Sequence, residues 1–267
     1  MPPSISRIWS HKPADPATQL SQTIDGASDH LSLRHPGFIF FRADDVAVPG
    51  NQFARMLEIF SRHRMPLCLA LVPAWLTGPR WQHLKEIAKN TASLCCWHQH
   101  GWRHVHHEAE GKKQEFGPRR SLPALESDLM RGRDHLVRLI GEKFFPVFTP
   151  PWNRCDHRTL QLLEKRKYIA VSRSQGSSPA PPKKLPDFYV NVDLHTRKEA
   201  DPRLGWKKLL QELSGAISSG FAGIMIHHQR MNDSAFDFLE MLVKNLARQK
   251  HLHPVDFKDL AEIKMLT

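Results

Sequence analysis

The feature that most restricts this chain is a recurring pairing of short, unbroken apolar runs with amphipathic stretches of helical period. Phe38-Ile39-Phe40-Phe41 and Leu67-Cys68-Leu69-Ala70-Leu71-Val72 are continuous rather than alternating, and each is followed by a polar segment of helical spacing. Strands buried on both faces read as continuous runs, whereas a half-solvated antiparallel strand alternates apolar with polar. Phe53, Met56, Leu57 and Phe60 recur at helical spacing after Asn51, which is expected to cap them. The pattern continues with strands expected at 93–97, 144–148, 168–172, 188–194 and 222–226. Helices are expected at 79–89, 122–140, 156–166, 203–218 and 234–248, with a short closing helix capped by Asp256. About seven such units suit a parallel sheet curled into a (β/α) barrel.

Residues 1–35 lack this rhythm apart from a short helix near Thr18–Ile24, and read as an N-terminal extension that wraps the domain or stays mobile. Residues 36–267 then form one barrel domain. The stretch SQGSSPAPPKK at 174–184 is a surface excursion. No run of about 18 apolar residues occurs, which argues against a membrane-spanning helix. The N-terminus lacks the charged-then-apolar pattern of a signal peptide, and the four cysteines show no Cys-x-x-Cys spacing. A reduced, cytoplasmic protein is the expectation. The net charge of +11 favours polyanions, but no zinc-finger spacing, aromatic RNA-binding signature or basic zipper accompanies it, so no nucleic-acid partner is expected.

In a barrel of this kind chemistry gathers where strands end. Arg42-Ala43-Asp44-Asp45 follows the first apolar run, and His98-Gln99-His100-Gly101-Trp102-Arg103-His104 the third. Thr149-Pro150-Pro151-Trp152-Asn153 follows the fourth and His227-His228 the seventh. His100 and His104 are four apart, a spacing that on a helical turn aims both imidazoles at one metal ion, with Asp45 as a carboxylate ligand. The adjacent Asp44 is then free to accept a proton from water. His227, leaving an apolar strand, is placed to protonate a leaving group, and His228 points the other way. His98 reads as a strand-end residue facing elsewhere, and Trp75, Trp81 and Trp97 as core.

These residues, in this order, resemble the polysaccharide deacetylases with a NodB-type domain. The Asp44-Asp45 pair matches the family's first motif and His100-x-x-x-His104 its second. Thr149–Asn153 echoes the Arg-x-Pro-x-Gly motif, and Met225-Ile226-His227 the Leu-x-His motif. The resemblance implies a distorted (β/α) barrel of the NodB type. It implies one divalent metal ion, usually Zn2+, on Asp45, His100 and His104, with Asp44 as base and His227 as acid. The backbone N–H near Trp152 would steady the oxyanion, and Arg42, Pro151, Trp152 and Asn153 would meet the substrate, an N-acetylated sugar or polysaccharide.

The motif-three arginine is Thr149 here and its glycine is Asn153. Arg42, two residues before Asp44 and so on the same strand face, is expected to replace that arginine, with Arg154 as the alternative. Two alternatives stay open: hydrolysis of another non-peptide C–N amide at the same site, and an inactive cationic barrel that binds acidic glycan.

Overall fold

A computed structural model describes residues 5–11 and 13–266; residues 1–4 of the expected extension lie outside the described residues. Eight parallel strands form one curled sheet: β1 (Gly37–Val46), β2 (Leu67–Leu71), β3 (Cys95–His100), β4 (Phe144–Thr149), β5 (Ala170–Val171), β6 (Val192–Asp193), β7 (Phe221–Ile226) and β8 (Leu252–Pro254). Their order is β5-β4-β3-β2-β1-β7-β6, with the short β8 also pairing with β1. Seven of them form the curled half-barrel that the alternation of runs predicts.

The segment before β6 joins the two edges. The Phe188 and Val190 amides donate to the Val171 and Arg173 carbonyls on the β5 side, at 2.9 and 2.8 Å. The Asn191 and Leu194 amides donate to Gly223 and Met225 of β7, at 2.9 and 3.2 Å. Only Val192–Asp193 counts as strand within the expected 188–194, because this segment bonds to its neighbours one residue at a time.

The helices are α1 (Pro16–Ser28), α2 (Asn51–Arg62), α3 (Gly78–Ile87), α4 (Leu122–Ile140), α5 (His157–Lys165), α6 (Pro202–Ser218), α7 (Asp233–Leu246) and α8 (Phe257–Leu266). Helix α2 begins at Asn51 itself and its N-cap is Gly50, so Asn51 does not cap it. Asp256 does cap α8, accepting from the Lys258 amide at 2.6 Å.

Side-chain alternation along β1 divides the core. Ile39, Phe41 and Ala43 face the outer helices and join one large apolar cluster with residues of α2, α6 and α7. Phe40 points inward, where Phe257 of α8 meets it with ring centroids 5.4 Å apart and closes the barrel floor. Above this floor Arg42 is fully buried. The described residues contain no helix long and apolar enough to cross a membrane.

The N-terminal segment is anchored. Helix α1 packs on α6 and buries Leu20, Ile24 and Ala27. Ahead of it, Trp9 is 3% exposed and donates its indole N–H to the Leu194 carbonyl at 2.9 Å. The Ser6 hydroxyl donates to the His195 carbonyl at 2.8 Å. This strap is therefore fastened to the loop that leaves β6.

Candidate active site

At the C-terminal ends of the strands lies a cavity of about 1100 Å³, and Asp44, Asp45, His100, His104 and His227 all line it. Two adjacent strand residues ordinarily face opposite sides of a sheet. Asp44 and Asp45 share the cavity because β1 shifts register against β2 between Ala43 and Val46, and Asp45 takes φ 60°. Gln229 holds this turn from across the mouth, donating to the Asp45 carbonyl at 2.6 Å. Of the seven non-glycine residues with positive φ among those described, Asp45, His104, Trp152 and Asn153 all line this cavity. Left-handed backbone is costly for such side chains and persists where surrounding contacts over-determine it.

His100 and His104 do meet, with ring centroids 5.2 Å apart, but not on a helical turn. His100 is the last residue of β3, and the chain reverses through Gly101 (φ 57°) and His104 (φ 59°). Glu115 organises that reversal. It is fully buried, and its carboxylate accepts from the Trp102 and Arg103 amides at 3.2 and 2.6 Å. Nothing in its sequence surroundings marks it out.

Ligand atoms of Asp45, His100 and His104 lie within 4.8 Å of one another. The Asp45 Oδ1 stands 3.3 and 3.2 Å from the two Nε2 atoms and, though buried, has no hydrogen-bond partner among the described residues. His100 Nδ1 sits 2.9 Å from the Thr149 carbonyl, which requires a proton on Nδ1 and leaves the Nε2 lone pair for a ligand. Burial disfavours charge on His100, but neighbouring Asp45 outweighs this and raises its pKa. Burial brings His104 down to about 4. Two imidazoles and an orphaned carboxylate oxygen suit a divalent cation such as zinc.

Arg42 lies beneath Asp44 rather than in the cavity wall. Its Nε and Nη2 donate to the two Asp44 oxygens at 2.8 and 2.9 Å. Its remaining bonds go to Ser172 Oγ (2.8 Å), Asn153 Oδ1 (2.6 Å) and Met225 Sδ (3.3 Å). Burial raises the Asp44 pKa, but the Arg42 guanidinium prevails and holds it below the usual carboxylate value. With its donors engaged and its side chain fully buried, Arg42 is not available to contact a substrate. Pro151 is also buried, whereas Trp152 and Asn153 line the cavity. The Trp152 ring stands 4.4 Å from His104.

His227 faces the cavity, while His228 is buried against Phe53 at 5.6 Å and depressed by that burial to about 3. Beneath it, His195 is buried and accepts from the His227 amide through Nδ1 at 3.1 Å. His98 shares the inward face with His100, two residues deeper, and hydrogen-bonds Thr149 Oγ1 at 2.9 Å. Period-two counting from His100 would have indicated that placement. Trp81 and Trp97 pack edge to face in the core.

No family model and no curated protein matches the chain. Solved structures do share its fold. A Mycobacterium smegmatis structure assigned to the polysaccharide deacetylases superposes with a TM-score of 0.61 at 16% identity, covering 80% of this chain and 77% of that one. An acetyl xylan esterase of family 4 from Clostridium thermocellum, in complex with a cobalt ion, gives 0.54 at 11% identity, covering 85% and 92%. A family 4 pseudoenzyme from Bacillus anthracis gives 0.55 at 13%, covering 85% and 66%. At these identities the likeness is one of fold.

Proposed function

We propose that this protein is a metal-dependent hydrolase that removes acetyl or related acyl groups from N-acetylated sugars or polysaccharide. The observation that carries this reading is one juxtaposition: the Asp45, His100 and His104 triad, an arginine-paired Asp44 and His227 line one cavity. Asp45 and the Nε2 atoms of His100 and His104 would hold a divalent ion, most simply Zn2+. Such an ion supplies Lewis acidity to an acyl carbonyl and makes water more acidic.

Asp44, kept ionised by Arg42, takes the proton from the attacking water. Arg42 itself is a positioning residue. The backbone N–H near Trp152 steadies the developing oxyanion. His227 returns a proton to the departing amine or alcohol, and Trp152 and Asn153 confine the acyl group. The Clostridium thermocellum fold neighbour, which acts as an acetyl xylan esterase and holds cobalt, supports the acyl and metal halves of the reading.

The fold neighbour described as a pseudoenzyme keeps an inactive glycan-binding barrel in view. Metal content by elemental mass spectrometry, beside acetate release from N-acetylated oligosaccharides, separates the two. Near-stoichiometric divalent metal is expected in the wild type, and loss of it in His100→Ala. Asp44→Asn is expected to retain metal while activity falls about 10²–10⁴-fold, the usual worth of general-base catalysis. An absence of metal from the wild type after zinc addition would overturn the proposal. Acetate-free turnover of other amides would move it to a different C–N substrate.

A further inference from the structure

The cavity wall beyond the triad carries an unbalanced set of charges. Its carboxylates are already engaged: Asp44 by Arg42, Glu199 by Arg197, and Asp193 by the His195 and Thr196 amides at 3.0 and 2.9 Å. Asp45 belongs to the triad. Among the lining cations Arg197 is engaged in the same way, by Glu199 and Glu212, but five others are not. Arg7, Lys112, Lys113, Arg154 and Lys198 line the same cavity, and none pairs with a carboxylate among the described residues. Some basic residues elsewhere find such partners, as in Arg55–Asp233 and Arg120–Asp128, and others such as Lys85, Lys165 and Lys250 do not among the described residues, so what sets the five apart is that they face one cavity.

These five cations come from four separate segments: the N-terminal strap, the loop between β3 and α4, the turn after β4, and the loop after β6. Two of the segments are tied together, since Arg154 Nη1 donates to the Lys113 carbonyl at 3.3 Å. Arg7 Nη1 likewise donates to the Ala200 carbonyl at 3.3 Å, joining strap to β6 loop. The backbone thus holds like charges around one opening, an arrangement that repels itself unless a counter-charge enters.

Apart from histidines, Trp152 is the only aromatic residue that lines this cavity among the described residues. Neutral sugars and single-stranded nucleic acids are commonly held by stacking on aromatic faces, and one ring offers little of that.

Resting on the acyl-hydrolase reading, we infer that the arc of Arg7, Lys112, Lys113, Arg154 and Lys198 recognises an anionic glycan, so that the substrate is an acylated sugar chain bearing negative groups. The spread of charge over several segments suits groups repeated along a chain better than one compact anion. Carboxylate and sulfate groups share the chemistry, and a binding experiment tells them apart.

Isothermal titration of the 267-residue chain would compare a short oligogalacturonate, a sulfated galactan oligosaccharide, a single-stranded RNA and a fully N-acetylated chito-oligosaccharide of equal length. At least tenfold tighter binding of one anionic oligomer than of the neutral one is expected, weakening as salt rises. The triple variant Lys112→Ser, Lys113→Ser, Lys198→Ser is expected to lose that preference. A second triple variant, Lys85→Ser, Lys165→Ser, Lys250→Ser, removes the same charge from exposed positions outside the cavity and is expected to keep it. The preference should also survive in His100→Ala, so a failed metal site and a failed arc give different results. Equal binding of neutral and anionic oligomers, unchanged preference in the cavity variant, equal losses in the two triple variants, or tighter binding of single-stranded RNA would each overturn the inference.

Discussion

Arg42 shows how much a residue's neighbours decide. An arginine buried without a partner is too costly to keep in a barrel interior. Here Asp44, Ser172 and Asn153 take its donors, and the charge becomes a fixed field beneath the Asp44 carboxylate. As the proposed base, Asp44 must be ionised to accept a proton, so activity is expected to fall as pH drops through its folded pKa. Replacing Arg42 by Met removes the dominant lowering influence, and the acidic limb of the pH–rate profile is expected to move to higher pH. An unmoved limb would mean that another group sets it. The same depressed pKa stabilises the fold above the ordinary carboxylate range, and this contribution is lost as pH falls through the folded value. The pairing of Arg42 with Asp44 could be anticipated from alternation along a strand, since i and i+2 share a face. The engagement of Ser172 and Asn153 could not, because each lies more than a hundred residues away.

At the scale of elements, the apolar runs located the strands well, and the helices at 122–140, 203–218 and 234–248 fall within two residues of their expected bounds. The runs placed the strand ends too early in β1 and β3. Composition turns polar at Arg42 and His98, yet both strands continue through the residues that carry the chemistry. Pairing with neighbouring strands overrides polarity there. The His100–His104 reversal escaped spacing rules for a related reason. It is built from positive φ values and the remote Glu115 rather than a helical turn. Gly101 is the sensitive point, since a Cβ there would lie 2.2 Å from Glu115 Oε2 and 2.6 Å from Pro151 Cγ, at φ 57°. Gly101→Ala is therefore expected to weaken metal retention, read as a lower chelator concentration needed to strip the protein. Glu115→Gln, which keeps the shape but weakens acceptance from two amides, should act in the same direction to a smaller extent.

For the whole molecule, composition leaves the N-terminal segment either wrapping the domain or mobile, and Trp9 and Ser6 fasten it beside the cavity. Sequence period could not reveal this, because the strap is held by single side chains rather than a repeating face. Trp9 stacks at 5.8 Å from His195 and 5.0 Å from Phe238. Removing its side chain in Trp9→Ala should cost about 3–5 kcal/mol, the usual range for a buried aromatic truncated to alanine. Thermal unfolding checks the magnitude. A KM increase at temperatures where the variant is still folded would show that the β6 loop had also loosened.

The ion pair of Arg42 and Asp44 has one more consequence, which concerns ancestry. A catalytic carboxylate whose counter-ion comes from a distant loop can lose it to any insertion or deletion between the two. Here both lie within three consecutive positions of a single strand, and the bond forms whenever that strand does. Insertions in the loops downstream of β1 therefore leave the pairing of Arg42 with Asp44 intact as long as Ser172 and Asn153 still meet the guanidinium. Such a chain can drift far in sequence and keep its proposed base paired, so its kin are best sought by Arg-x-Asp-Asp at the end of an apolar run.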